Sequence, residues 1–176
     1  MLAVGYLRHQ VSTTIHKFWV ARNLAVFVVD DYVKALLDPM CDWPPLDSWL
    51  DLGKRALRHD LSKYRWDEAS AFARTGDRLR HSTYGTDEYR ALLREIKPAI
   101  TRHYERNRHH PEFWPNGFKD MNEADVIEMV ADWGAAVRRH ADGDLDKSIV
   151  QNAERFGYDR ETEKFLRSTA HRMRLL

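Results

Sequence analysis

The chain has 176 residues, with 28 Lys+Arg against 27 Asp+Glu and a formal net charge of +1. That length suits one compact domain with a core of its own, and the balanced charge excludes a globally basic nucleic-acid binder. Cys41 is the single cysteine, which excludes a disulfide framework or a cysteine-rich zinc site within one chain.

The opening Met1-Leu2-Ala3-Val4-Gly5 has no charged region followed by a long apolar one, so no secretory leader is expected. The most apolar run, Leu24-Ala25-Val26-Phe27-Val28-Val29, is far short of the roughly 20 residues of a membrane span. A soluble, cytoplasmic protein is the expectation.

Taken in order, the chain reads as helix after helix, with no alternating strand pattern. The first helix runs from about Val11 to Leu37, with Ile15, Trp19, Val20, Leu24, Phe27, Val28 and Val33 at helical spacing. His16 shares a stripe with Val20, Leu24 and Phe27 and should face inward, either as a hydrogen-bonded core histidine or as a ligand. Pro39, Pro44 and Pro45 mark a loop. Asp47 and Ser48 then offer caps for a second helix through Trp49, Leu52 and Ala56, which ends at or just beyond His59-Asp60.

A third helix is expected from about Trp66 to Arg74, ending before Gly76, and the stretch from Gly76 to Gly85 reads as a polar loop carrying His81. The fourth starts near Thr86 and carries Tyr89, Leu92, Ile96 and Ile100. Pro98 should kink or split it, and its second half presents His103 and Asn107 on one face. His109-His110-Pro111 ends that helix. Asn122 caps a fifth helix, with Asp125 at the capping-box position. Asp142-Gly143-Asp144 forms a turn. A sixth helix covers about Leu145 to Phe156 before Gly157, and a basic, amphipathic helix runs from about Arg160 to Met173. The expected fold is an all-α single domain over residues 1–176, a bundle of six or seven helices.

Three groups of residues carry possible chemistry, in a chain with nine histidines. Asp132 is the only charged residue between Met129 and Val137, so its carboxylate should point into packed protein. A buried carboxylate demands strong compensation, here an arginine or a metal. His59-Asp60 closes an apolar helix and joins imidazole nitrogen to carboxylate oxygen, donors suited to Zn, Mn, Fe or Co. The segment from His103 to His110 packs three histidines among Arg102, Arg106 and Arg108, fitting a metal site, a phosphate-binding basic patch, or both. His140 and His171 sit among arginines and read as solvated. A Gly-x-Ser-x-Gly elbow, a Gly-rich phosphate loop and a dinucleotide fingerprint are all missing from the sequence.

In order these candidates are His16, His59-Asp60, His103, His109-His110 and Asp132. The series resembles the His…His-Asp…Asp signature of the HD-domain superfamily of all-helical metal-dependent proteins. His59-Asp60-Leu61-Ser62-Lys63 is similar to the His-Asp-(Ile/Leu)-Gly-Lys segment of the HD-GYP cyclic-dinucleotide phosphodiesterases and of the myo-inositol oxygenase-like diiron oxygenases. Asn107-Arg108-His109-His110 also resembles an Asn-x-His-His segment of small bacterial and phage proteins. Ser62 replaces the family glycine, and no Gly-Tyr-Pro follows His109-His110, so cyclic-dinucleotide specificity is not implied.

The resemblance implies an HD-like bundle holding one or two divalent ions (Mn, Fe, Zn or Co). One ion would take His16, His59, Asp60 and Asp132. The second would share Asp60 and add His103 with His109, His110 or both; His81 is the alternative to His103. The implied activity is hydrolysis of a phosphate ester, a nucleotide among the candidates, with Asp60 and Lys63 catalytic and Lys63, Arg106 and Arg108 binding phosphate. A diiron oxygenase on the same ligands, or a non-catalytic helical interaction protein, are the alternatives. The expected partner is a small-molecule phosphate substrate, with no membrane and no clear nucleic acid; the sequence leaves the oligomeric state open.

Overall fold

The computed structural model describes residues 2–38, 45–82, 86–139 and 143–176. Among the described residues there is no strand. The α-helices are α1 (Leu2–Leu37), α2 (Leu46–Arg58), α3 (Trp66–His81), α4 (Asp87–Arg106), α5 (Glu123–Val137), α6 (Leu145–Phe156) and α7 (Arg160–Arg172). Short 3-10 turns occupy Leu61–Tyr64, Pro111–Phe113 and Gly117–Asp120. The all-α expectation of six or seven helices is met. Cys41, Pro39, Pro44, His140 and Asp142 lie outside the described residues.

Two expected boundaries are corrected. Helix α1 begins at Leu2, well before Val11. A Cβ at Gly5 would lie 2.5 Å from the Ala73 carbonyl oxygen, so the bare glycine lets the backbone of α1 approach α3. Helix α3 continues through Gly76 to His81, where a loop was expected. One glycine inside a helix costs only about 1 kcal/mol relative to alanine, and good helix formers, Arg78 and Leu79 among them, carry the chain on. Pro98 does not split α4, which is assigned as one helix around it. Ile96, Ala99 and His103, buried on either side of Pro98, hold the helix in place where the proline removes one backbone donor.

The other boundaries reflect local chemistry. Asn122 caps α5 with a complete capping box: its side chain accepts from the Asp125 N–H at 2.9 Å, and Asp125 Oδ2 accepts from the Asn122 N–H at 3.1 Å. Gly157 ends α6 in the left-handed region at φ 67°, where a side chain would be strained.

The chain gathers into two compact units, Met1–Ile15 with Asp60–Asn107, and His16–His59 with Arg108–Leu176. In the first, α3 lies against α4 through buried Ala69, Ala73, Leu92, Ile96 and Ala99. The start of α1 joins them: His9 stacks on Phe72 with ring centroids 5.3 Å apart, and Tyr6 meets Trp66 at 5.7 Å. In the second unit one apolar cluster combines Val20, Leu24 and Phe27 of α1, Leu52 of α2, five α5 positions from Val126 to Ala131, and Ile149 and Leu166 of α6 and α7. Helix α5 is buried for most of its length, so any charge it carries inward must be compensated. No helix among the described residues is long and apolar enough to cross a membrane.

Candidate metal centre

In the second unit the inward stripe of α1 delivers His16, buried as expected, to Asp132 of α5. His16 Nε2 lies 2.7 Å from Asp132 Oδ1. His59 comes directly after the last residue of α2, and its Nε2 sits 3.4 Å from His16 Nε2 and 3.6 Å from Asp132 Oδ1. Ligand atoms about 2.1 Å from a common ion stand roughly 3.0 Å apart at octahedral angles and 3.4 Å at tetrahedral ones. Two imidazole nitrogens and one carboxylate oxygen therefore already have the spacing of three corners of a coordination shell.

What orients them lies behind. Glu128, one turn before Asp132, brings Oε1 within 3.0 Å of His59 Nδ1 and 3.3 Å of His109 Nδ1. A carboxylate there makes each Nδ1 the protonated nitrogen, so each Nε2 keeps its lone pair for a ligand. Glu128 Oε2 accepts from Arg55 Nη1 at 3.1 Å, and the same Arg55 nitrogen donates to Asp125 Oδ1 at 2.7 Å. Arg108 adds a fork to Asp125 at 2.8 and 3.1 Å and lies over the Trp114 ring, 4.9 Å from its centroid. The His110 ring stands 4.1 Å from that of His109.

Burial pushes the Glu128 and Asp132 carboxyls upward. The surrounding imidazoles outweigh it and hold both below their ordinary values: His109 and His59 at Glu128, and His16, with His59 and His109 nearby, at Asp132. Asp125 is likewise lowered against its burial, by Arg108 and Arg55. The buried acids of α5 are thus anionic, and Asp132 has histidines as partners where an arginine was the simplest structural alternative.

The first unit repeats the logic. Asp60 opens the turn after α2 with φ 54° and ψ 21°, a left-handed conformation uncommon for residues other than glycine and found often at functional sites. Its Oδ1 lies 3.2 Å from His103 Nε2, and its Oδ2 accepts from Lys63 Nζ at 2.5 Å. Behind His103, Nδ1 stands 2.9 Å from Ser62 Oγ and 3.3 Å from Glu68 Oε2. Ser62 donates to Glu68 at 2.8 Å and receives Asn107 Nδ2 at 2.8 Å. Burial pushes the Glu68 carboxyl up, and the bonds from His103, Ser62 and Arg106 outweigh it. Ser62 is thus a buried polar link to His103.

The predicted residues fall into two groups. His16, His59 and Asp132 come together with His109 and His110 in the second unit; Asp60, His103 and Lys63 come together in the first. His103 belongs to a group able to hold a metal, and His81, exposed on α3, belongs to none among the described residues. Arg106 is bound to Asp67 and Glu68, at 2.8 and 2.7 Å, and Arg108 to Asp125. His171 is exposed at the end of α7, as expected.

Sequence reasoning missed Glu128, Glu68, Arg55 and the outer role of Asp125. Asp125, Glu128 and Asp132 stand three, then four residues apart along an otherwise apolar helix, and that stripe was the available signal. The buried histidine and aspartate groups could hold a metal ion. Their donors, imidazole nitrogen and carboxylate oxygen without thiolate, fit Zn, Mn, Fe or Co.

A family model described as a family of unknown function, DUF5662, matches residues 6–175. No curated protein and no solved structure matches the chain.

Proposed function

The chain belongs to the DUF5662 family, and we propose that it is a metal-dependent phosphohydrolase acting on a small phosphate ester of the nucleotide type. One observation carries this: His59 and His109 both turn Nδ1 to a single Glu128 oxygen, which commits their Nε2 atoms to an acceptor role. Core histidines serving only packing have no need of a shared buried carboxylate braced by an arginine.

In this proposal His16, His59 and Asp132, with His109 and His110 alongside, hold an ion in the second unit, and Asp60 and His103 supply ligands in the first. A divalent ion held by these residues supplies Lewis acidity toward phosphoryl oxygen and acidifies water. The chain's own groups do the rest. Glu128 and the Ser62–Glu68 pair fix imidazole tautomers. Lys63, bonded to Asp60 Oδ2, supplies an ammonium beside a liganding carboxylate, where a phosphate oxygen would carry charge. Arg106 and Arg108, tied to Glu68 and Asp125, act as positioning residues and set the charge behind the histidines. The similarity to the HD signature supports the same assignment.

The test is a phosphate-release screen of nucleotides and simple phosphomonoesters with protein loaded with Mn, Co, Fe or Zn. Metal-dependent release that disappears in His59→Ala and Asp60→Ala, with helical content retained, is the expected result. Iron-loaded protein that gives a mixed-valent diiron resonance signal under oxygen and releases no phosphate would overturn the hydrolase assignment in favour of oxygenase chemistry.

A further inference from the structure

Helix α1 carries a second apolar stripe, on the side away from His16. Val4, Leu7, Val11, Ile15 and Phe18 are 51–65% exposed, and Val29, Val33 and Leu36 are 43–58% exposed; Ala25 is exposed between the two sets. Isolated exposed apolar residues need no explanation, but a continuous row along one helix does. With half-buried Arg22 standing between Phe18 and Ala25, these positions step by threes and fours at a mean near 3.6 residues, so they follow one seam along α1.

The seam is palindromic. Reversing the helix about Val20 superposes position 4 on 36, 7 on 33, 11 on 29, 15 on 25 and 18 on 22. Val4 then faces Leu36, Leu7 faces Val33, Val11 faces Val29 and Ile15 faces Ala25. At the centre Phe18 faces Arg22, an aromatic ring against a guanidinium.

We propose that α1 is a dimerisation surface whose partner is α1 of a second copy of this chain, packed antiparallel about a two-fold axis that crosses the seam between Phe18 and Arg22, level with Val20, which is buried on the opposite face. An isologous interface requires a self-complementary patch, which a palindromic seam provides. Covering the nine apolar positions would remove on the order of 700 Å² per chain, close to the roughly 800 Å² per partner of a standard stable interface. The pairing is independent of the proposed phosphohydrolase activity.

The experiment uses the full chain in a Cys41→Ser background. Sedimentation velocity should show twice the 20.8 kDa chain mass, and Val11→Glu with Ile15→Glu should return the monomer with helical content unchanged. Single-cysteine chains give a second readout that does not depend on the folding of those charged variants. Val11→Cys and Val29→Cys, mixed and oxidised, should cross-link 11 to 29 and leave each alone largely uncross-linked. A monomer at tens of micromolar, preferential 11-to-11 linking, or a monomer that binds anionic vesicles through this face would overturn the proposal.

Discussion

Replacing Glu128 by glutamine preserves shape and removes charge, and its consequences can be worked out contact by contact. The carboxylate serves three donors: His59 Nδ1 at 3.0 Å, His109 Nδ1 at 3.3 Å and Arg55 Nη1 at 3.1 Å. A glutamine has one acceptor oxygen. With its oxygen toward the histidines, its NH2 opposes Arg55, which retains Asp51 and Asp125. With the amide reversed, the NH2 opposes both Nδ1–H groups and drives the imidazoles to the tautomer protonated at Nε2, the nitrogen needed for ligation. Losing an outer-shell partner of this kind costs about 10–100-fold in metal affinity, roughly 1.4–2.8 kcal/mol. The lost charge-assisted bond costs about 1.5–3 kcal/mol of stability in the metal-free protein, a fall in Tm of several degrees for a chain this long. Titration calorimetry with Mn or Zn well below the melting temperature separates the two effects. An affinity within about twofold of the wild type in a folded Glu128→Gln protein would refute the orienting role.

Other outcomes rest on contacts of the same kind. Gly5→Ala places a methyl group against the Ala73 carbonyl and should destabilise the protein by about 1–3 kcal/mol, read by urea unfolding. Asp125→Asn should cost stability in a pH-dependent way. The folded Asp125 carboxyl lies below its ordinary 3.8, so its contribution is complete above that pH and is lost as pH falls through the lower folded value. The gap between wild type and variant should therefore be widest near neutrality and shrink below about pH 4. Ser62→Ala removes the hydroxyl shared by Glu68, Asn107 and His103; it should cost about 1–2 kcal/mol and alter the His103 ring nitrogen shifts in NMR.

Much of this arrangement was legible in the sequence. His16 was placed inward by its stripe with Val20 and Leu24, and Asp132 by its apolar surroundings, because helical periodicity reports burial directly. The capping box at Asn122 and the stop at Gly157 were legible because their chemistry is local. Glu68 and Glu128 were not, since acidic residues on helices are mostly solvated and only the packing of other elements shows which are enclosed. The end of α3 was misplaced because a single glycine breaks a helix only when no tertiary contact or neighbouring propensity repays its cost. His103 and His81 could not be ranked by spacing; the Ser62–Glu68–Asn107 set around His103 is assembled from residues 62 to 107, a convergence that spacing does not encode.

The central claim is that the buried histidines and aspartates bind metal. Its most direct test is metal content and affinity of the purified full chain after chelation and reloading with Mn, Fe, Co or Zn, beside His16→Ala, His59→Ala and Asp132→Ala. Stoichiometric uptake of one or two ions by the wild type is expected, with loss of at least one ion in each folded variant. Wild-type protein that takes up no ion, or variants that bind as well as the wild type, would contradict that claim.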